Sequence, residues 1–281
     1  MISVIGGINL DILGDPFGPV VMRDSNVGHV SFRAGGVGRN IAAAVCEIGG
    51  KARLMTVLGN DRNGDGLLEE CEELGMDMSL CGRADVPTNI YLAMHDENGD
   101  MLCALNDMRT MEMLTPEMIE RHAEELNKSE LCILDANLSD ETLQAAVRLL
   151  TVPLMMDPVS CIKAHRCLPV MRHLFAIKPN AMEAEEMTGC TDYREAAEKL
   201  LEMGVKQVYI SLGREGVYFA SAEDKGRLLP KKITNLLQTG AGDSMCAGIA
   251  CAITKGMDIR SCAMSGMDAA YARLTGGIYR I

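Results

Sequence analysis

Leu131-Cys132-Ile133-Leu134-Asp135-Ala136-Asn137 is an apolar run that passes directly into polar residues. This pattern is typical of a buried strand in an open α/β sheet, where ligand-binding groups lie at the carboxyl ends of the strands. It recurs after apolar runs at 174–177 and 207–211, with another strand predicted at 153–156 and helices between them. Repeated strand–helix units of this kind predict an α/β fold with a mostly parallel sheet and helices on both faces.

The start of the chain adds one more strand and a pair of polar residues. Residues 2–7 form a short apolar run, and Asn9 and Asp11 follow it. Their position just past a strand end suits ligand binding at the carboxyl edge of the sheet. An Asx turn explains the same two residues without a ligand, so both interpretations stay open.

A hairpin interrupts the strand–helix alternation. Residues 88–95 alternate between apolar and polar types, and a second strand-like run covers 101–105. Asn98-Gly99 between these runs is a strong hairpin signal. With a strand near 29–33, the hairpin would form a small sheet that stands off the main one as a lid. We predict one domain over residues 1–281, with lid segments at about 12–33 and 86–107.

Composition limits the classes of partner. The chain has 281 residues, of which 48% are hydrophobic, and a net charge of −12. This charge argues against a nucleic-acid partner, because a phosphate backbone requires a basic surface. No apolar run approaches the roughly 20 residues that span a bilayer, and the first residues lack the basic region of a signal peptide. The eleven cysteines include no C-x-x-C pair, and we interpret them as reduced thiols in the cytoplasm.

A glycine-rich stretch, Gly35-Gly36-Val37-Gly38-Arg39-Asn40, precedes a predicted helix. Gly35 and Gly36 would let a ligand approach the backbone closely, with Asn40 in the first turns of the helix. A dinucleotide-binding fingerprint is the rival interpretation. That fingerprint requires G-x-G-x-x-G directly after the first strand, and here the glycines come too late and with the wrong spacing. The helix itself is predicted from apolar residues at helical spacing, namely Ile41, Ala44, Val45 and Ile48.

A second glycine-rich stretch, Thr239-Gly240-Ala241-Gly242-Asp243-Ser244, opens a helix rich in small residues. Its small residues leave backbone N–H groups pointing outward at a helix N-terminus, which makes an anion site. A carboxylate such as Asp243 is a poor phosphate ligand, but it can take a proton from a hydroxyl that attacks the phosphate. The alternative is a plain helix start with an aspartate that the helix dipole favours.

Asn180 and Glu183 are one helical turn apart after the strand predicted at 174–177. A pair with this spacing could order Mg²⁺ through water, since Mg²⁺ usually keeps several of its waters. The alternative is an N-cap and a first-turn acid of an ordinary helix. The sequence has no G-x-x-x-x-G-K-[ST] and no H-R-D or D-F-G element, which excludes P-loop and protein-kinase sites.

The two glycine-rich stretches resemble the N-terminal and C-terminal signatures of the PfkB/ribokinase family of sugar and nucleoside kinases. The order of elements is similar to that family over nearly the whole chain, including the inserted lid. The resemblance implies a ribokinase-like fold and transfer of phosphate from ATP, with Mg²⁺, to the 5′-hydroxyl of a nucleoside. Several stretches are similar to the pseudouridine kinases of the family and make pseudouridine the expected acceptor: 36–42, 104–108, 114–117, 135–138, 157–160 with Lys163, and 178–180.

The resemblance also implies roles for individual residues. Asp243 would be the general base, and the amides of Gly240, Ala241 and Gly242 would hold the charge on the transferred phosphoryl group. The expected acceptor-binding residues are Asn9, Asp11, Gly35, Gly36, Asn40, Thr88, Asn106 and Asn137. The expected nucleotide-binding residues are Asn180, Glu183, Ser211, Gly213, Gly216, Thr239 and Gly266, and Glu183 would also hold Mg²⁺ through water. A homodimer through the lid sheet is a further expectation.

Some features leave alternatives open. Many family members carry an acidic residue three positions before the first glycine of the second signature, where this chain has Leu237. That region helps to hold a monovalent cation in the family, so a bound cation is an open question here. A kinase of the same fold for ribose or another nucleoside, and a ligand sensor that kept the fold without catalysis, are the competing functions.

Overall fold

The structure is a computed structural model and describes residues 1–233 and 240–281. Its strands are β1 (Ile2–Ile5), β2 (Asn9–Pro16), β3 (Gly28–Gly35), β4 (Ala52–Met55), β5 (Val57–Gly59), β6 (Gly82–Ala84), β7 (Ile90–His95), β8 (Met101–Asp107), β9 (Leu131–Asp135), β10 (Leu154–Asp157), β11 (Ala176–Ile177), β12 (Gln207–Ser211), β13 (Val217–Ser221) and β14 (Lys225–Leu228). Its α-helices are α1 (Val37–Glu47), α2 (Arg62–Glu73), α3 (Pro116–Leu126), α4 (Asp140–Leu149), α5 (Cys161–Ala164), α6 (Ala181–Thr188), α7 (Tyr193–Glu202), α8 (Ala241–Thr254) and α9 (Ile259–Thr275).

The main sheet, within the described ranges, has eight strands in the order β14-β13-β12-β11-β10-β9-β1-β4. The six strands β4, β1, β9, β10, β11 and β12 pair in parallel. Strands β13 and β14 are added at one edge in antiparallel pairing. Successive side chains along a strand point to opposite faces of the sheet and pack in two hydrophobic cores. Val4 and Ile133 pack on one face, and Ile5 and Leu134 pack on the other. Burial on both faces explains why these strands are continuous apolar runs. The predicted mostly parallel sheet is confirmed.

The small sheet has the order β3-β2-β7-β8. Its β7–β8 hairpin is confirmed, with Gly99 at a positive φ of 85° in the turn. The predicted pairing is wrong in one respect, because β3 pairs with β2 and not with the hairpin. The sequence prediction also missed β2, which contains both Asn9 and Asp11. Aspartate, glycine and proline are depleted in strands, so the composition of β2 does not predict a strand. Strand β2 forms because it pairs with a neighbouring strand on each side.

The helix expected between β10 and β11 is broken into two pieces. The α-helix α5 is followed by a 3₁₀ segment over His165–His173 that contains Pro169. Proline lacks the N–H that a continuous α-helix requires. In the described part of the chain, no helix combines the length and the apolar character needed to cross a membrane.

Candidate active site

The start of α8 presents backbone N–H groups that come before the first hydrogen bond of the helix. Gly240 is the N-cap, with φ 87° and no side chain to cap the helix. The N–H of Ser244 donates to the Gly240 carbonyl at 3.1 Å, so the amides of residues 241–243 precede the first intrahelical bond. Gly242 is exposed, which leaves this end of the helix open. Backbone amides at the helix N-terminus and the positive end of the helix dipole make this turn suitable for an anion.

The Asp243 carboxylate connects α8 to the other glycine-rich stretch. Asn40, in the first turns of α1, donates from Nδ2 to Asp243 Oδ2 at 3.0 Å. Burial and the nearby charges of Asp157 and Asp135 raise the pKa of Asp243 to about 7, although Asn40 and Lys178 oppose the rise. A carboxylate with this pKa is a stronger base than a free aspartate and is still largely ionised slightly above neutrality.

Asp135, at the end of β9, holds two loops together. Its Oδ2 accepts from the N–H of Gly7 at 2.8 Å and from the N–H of Gly38 at 3.0 Å. A Cβ on Gly6 would lie 2.3 Å from the same oxygen, so only glycine permits this approach. Burial raises the pKa of Asp135, although hydrogen bonds from Gly7 and Asn137 oppose the rise. The loop after β1 and the start of α1 are therefore fixed as one unit.

The small sheet presents a polar row to one of its faces. Its strand register aligns Arg33, Asp11, Tyr91 and Asn106 across all four strands. Facing residues on neighbouring strands share a face of the sheet. The structure thus brings the predicted acceptor-binding residues Asp11 and Asn106 into one row, with Tyr91 between them.

Asp11 is closely enclosed at the base of this row. Asn9 is buried and donates from Nδ2 to Asp11 Oδ1. A Cβ on Gly35 would lie 2.6 Å from both carboxylate oxygens of Asp11, and Gly36 has a positive φ of 96°. Burial raises the pKa of Asp11, while Asn9 opposes that shift. Asn9, Asp11, Gly35 and Gly36 therefore form one contiguous surface beside α1.

Asn137 lies next to this surface, just past β9. Its N–H donates to Asp135 Oδ1 at 2.9 Å, and its side-chain oxygen accepts from Lys163 Nζ at 2.5 Å. Its Nδ2 would lie 3.1 Å from a Cβ on Gly7, so the amide nitrogen is on the side of the loop after β1. Burial lowers the pKa of Lys163, although the charge of Asp135 opposes the shift.

Asn180 and Ser211 meet at the carboxyl edge of the main sheet, where an isolated parallel bridge joins them. Asn180 and Glu183 form a capping box: Asn180 Oδ1 accepts from the Glu183 N–H at 2.9 Å, and Glu183 Oε2 accepts from the Asn180 N–H at 2.8 Å. Both residues therefore have the ordinary helix-capping role that the sequence left open. Among the described residues, no cluster of three or more His, Cys, Asp or Glu side chains is arranged to hold a metal.

Two predicted ligand residues have structural partners that account for them. Thr88 is 1% exposed, and its hydroxyl donates to Asp61 Oδ1 at 2.7 Å at the base of the small sheet. Gly266 is buried between α8 and α9, where a Cβ would lie 2.7 Å from Ile249.

Gly213 and Gly216 lie in the turn between β12 and β13, both with positive φ. Thr239 and Leu237 lie outside the described residues.

Lys178 and Asp157 are charged residues to which the sequence assigned no role. They end or follow the apolar runs at 153–156 and 174–177, and Lys178 Nζ lies 3.2 Å from Asp157 Oδ2. Both side chains are 6% exposed. The available signal was a charge directly after a buried strand, the same signal that identified Asp135.

The chain is similar to known proteins in both sequence and fold. A profile of the pfkB family carbohydrate kinases matches residues 1–276. The pseudouridine kinase of Escherichia coli (strain K12) is 33% identical over 266 residues, which cover 91% of this chain and 84% of that protein. A ribokinase structure from Thermotoga maritima has a TM-score of 0.87 at 26% identity, covering 98% of this chain and 93% of that one. An Arabidopsis thaliana ribokinase, solved with ribose and ATP, shares the fold with a TM-score of 0.85 at 20% identity, covering 99% and 95%. These comparisons confirm the family resemblance and the ribokinase-like fold that the sequence predicts.

Proposed function

We propose that this chain, which belongs to the pfkB family of carbohydrate kinases, transfers the terminal phosphoryl group of ATP to the 5′-hydroxyl of a nucleoside. The observation that carries the proposal is the hydrogen bond between Asn40 and Asp243. It places a base between a helix start suited to phosphate and a polar surface suited to sugar hydroxyls. The choice of nucleoside, the hydroxyl that is phosphorylated and ATP as the donor are all parts of this proposal.

The proposed reaction uses Asp243 as the base. As the acceptor oxygen bonds to the γ-phosphorus, its proton passes to the Asp243 carboxylate. The bond from that phosphorus to the bridging oxygen breaks, and ADP leaves with the electron pair. The amides at the start of α8 stabilise the charge on the transferred oxygens, and Asp243 later returns its proton to solvent.

Mg²⁺, when bound with ATP, would neutralise charge on the phosphates. Glu183 is the residue expected to hold it. The capping box uses Glu183 Oε2, so the second carboxylate oxygen is the one available to a water of the ion. Burial raises the pKa of Glu183, which also suits an indirect contact better than direct coordination.

Pseudouridine is the acceptor that we favour. The similarity to the Escherichia coli pseudouridine kinase supports this choice. The base of a nucleoside also needs hydrogen-bond partners beyond those for its ribose, and Tyr91, Asn106 and Asn137 are polar groups next to Asp11 or Asp135 that can supply them. The likeness to a ribokinase structure makes ribose the second candidate.

A panel of acceptors tests the choice of substrate. With ATP and Mg²⁺, we expect ADP to form with pseudouridine at a kcat/KM at least tenfold above that for uridine, guanosine or ribose. Coupled detection of ADP measures all four acceptors under the same conditions. Phosphorylation of ribose without phosphorylation of pseudouridine would replace our acceptor by the second candidate. Binding of a nucleoside without any ADP formation would favour the non-catalytic sensor.

The outer face of the small sheet supports a homodimer. Its register aligns Phe32, Ile12, Leu92 and Leu105 in an apolar row on the face opposite to the polar row. Phe32 is 64% exposed and Leu105 is 71% exposed. A row of apolar side chains across a whole sheet, three of which are exposed here, is typical of an interaction surface. We infer that a second copy of the chain covers this face, so that the small sheet serves both as a lid and as an interface.

Light scattering after gel filtration tests the dimer. We expect the wild-type chain to elute as a dimer and Phe32→Glu as a monomer, because a carboxylate in the apolar row would be buried without a partner. Ile278→Glu is the control, since Ile278 is 87% exposed and lies near the C-terminal end. A monomeric wild type, or a dimeric Phe32→Glu variant, would contradict this inference.

A further inference from the structure

Lys178 is a buried cation that the reaction described above does not use. It directly follows β11 at the carboxyl edge of the main sheet, where the candidate active site lies. Its Nζ pairs with Asp157 at the end of β10, and both side chains are 6% exposed. Burial of two charges costs more than burial of apolar side chains of the same size, even when the charges pair. An ion pair at this edge of the sheet therefore calls for a role besides packing.

Lys178 lies against the start of α8. A Cβ on Gly242 would be 3.8 Å from Lys178 Nζ. Because the Cα–Cβ bond in a helix tilts toward the N-terminus, this distance places the ammonium beside the first turn. That turn is also where the amides of residues 241–243 precede the first intrahelical bond. An anion bound to these amides would meet the ammonium as well.

Lys178 is surrounded by groups that keep it charged. Asp157 on β10, Glu183 on α6, and Asp243 and Cys246 on α8 all face it. Burial lowers the pKa of Lys178, but these neighbours outweigh burial and raise it above the ordinary value for lysine. These neighbours therefore favour the protonated, positively charged form of Lys178.

We propose that Lys178, held in place by Asp157, binds the terminal phosphoryl group of the nucleotide at the start of α8. An ammonium has three N–H donors, so it can donate to Asp157 and to a phosphoryl oxygen at the same time. Lys178 is then a catalytic residue, and Asp157 is a positioning residue that acts through it. The inference rests on the proposed function for the identity of the nucleotide.

Variants of the pair separate this role from a structural one. Lys178→Met is expected to lower kcat by about 10²–10³-fold, the usual loss for one group that stabilises a transition-state oxyanion. Because that variant leaves Asp157 buried without its partner, it can also lose stability. The double variant Asp157→Asn/Lys178→Met removes both charges and is expected to fold. Its kcat should remain as low as that of Lys178→Met.

Calorimetric titration with ATP and with ADP provides a readout that needs no acceptor. We expect the double variant to lose at least tenfold in affinity for ATP and less than threefold for ADP, because only ATP carries the terminal phosphoryl group. Lys225→Met is the matched control, since Lys225 forms an exposed ion pair with Glu198. That variant should bind both nucleotides like the wild type.

The pH dependence of kcat tests whether the two charges of the pair act on Asp243. Lys178 lowers the pKa of Asp243 and Asp157 raises it, from a value of about 7 in the wild type. The pH below which kcat falls should therefore move up in Lys178→Met and down in Asp157→Asn. These opposite shifts would show that both charges act on Asp243, whereas the contact of Lys178 with the phosphoryl group is tested by the ratio of ATP to ADP affinity.

Two results would overturn the inference: a double variant with wild-type kcat, or one with an unchanged ratio of ATP to ADP affinity. Failure of the proposed function would give a different pair of results in the activity and affinity measurements. If the wild type phosphorylates no acceptor but the double variant selectively loses ATP affinity, the assigned acceptor is wrong and the role of Lys178 stands.

Discussion

Asp243→Asn is expected to lower kcat by about 10²–10⁴-fold, the range for loss of a general base. The substitution keeps the size of the side chain, and its Oδ1 can still accept the hydrogen bond that Asn40 donates to Asp243 in the wild type. The amide cannot take a proton from the acceptor hydroxyl. We therefore expect acceptor affinity, measured by calorimetric titration, to change less than threefold.

Asp258→Asn is the matched control for this variant. Asp258 is also an aspartate at a helix start, and its side chain accepts from the N–H of Ser261 at the beginning of α9. Asparagine caps helices about as well as aspartate, so this variant should keep wild-type turnover and stability. Wild-type kcat in Asp243→Asn would remove Asp243 as the base.

Gly36→Ala is expected to destabilise the protein by about 2–6 kcal/mol. Gly36 has φ 96° and ψ 132°, a conformation that costs a residue with a side chain about 1–3 kcal/mol. A Cβ would also lie 2.5 Å from the Gly7 carbonyl oxygen, and relief of such a clash costs about 1–3 kcal/mol more. The same shift would move Asn40 relative to Asp243, so we expect kcat/KM of the folded variant to fall as well.

Gly66→Ala is the control for the effect of alanine itself. Gly66 lies inside α2, and beyond its chain neighbours and the nearby backbone of α2 no described atom lies within 4 Å of the position of its Cβ. There, alanine should increase the free energy of unfolding by about 0.5–1 kcal/mol. Denaturant unfolding of the two variants should thus give changes of opposite sign. Equal stability of Gly36→Ala and the wild type would show that the loop before α1 relaxes without strain.

Much of the main sheet could be predicted from the sequence because its strands are buried on both faces. Ile133 and Leu134 enter opposite cores, so β9 has no polar face and its end is visible as the change to Asp135. The glycine-rich stretches could likewise be predicted as helix starts, since α1 and α8 begin at them. In both cases a local pattern corresponds to a local structure.

Contacts between distant segments could not be predicted in this way. The residues of the hydrogen bond from Asn40 to Asp243 are 203 positions apart, and nothing near either residue specifies the other. Strand β2 was missed because its stability comes from pairing on both sides and not from its own composition. Thr88 was predicted to bind the acceptor, but its hydroxyl bonds to Asp61, a partner that only the fold reveals.

Analysis of the reaction products by mass spectrometry and ³¹P NMR tests the central claim most directly. The wild-type chain, incubated with ATP, Mg²⁺ and pseudouridine, should yield ADP and pseudouridine 5′-phosphate in equal amounts, with the new phosphorus signal coupled to the 5′-methylene protons. Asp243→Asn should yield neither within the same time. Unchanged pseudouridine, or phosphate on another hydroxyl, would contradict the proposed function of this site.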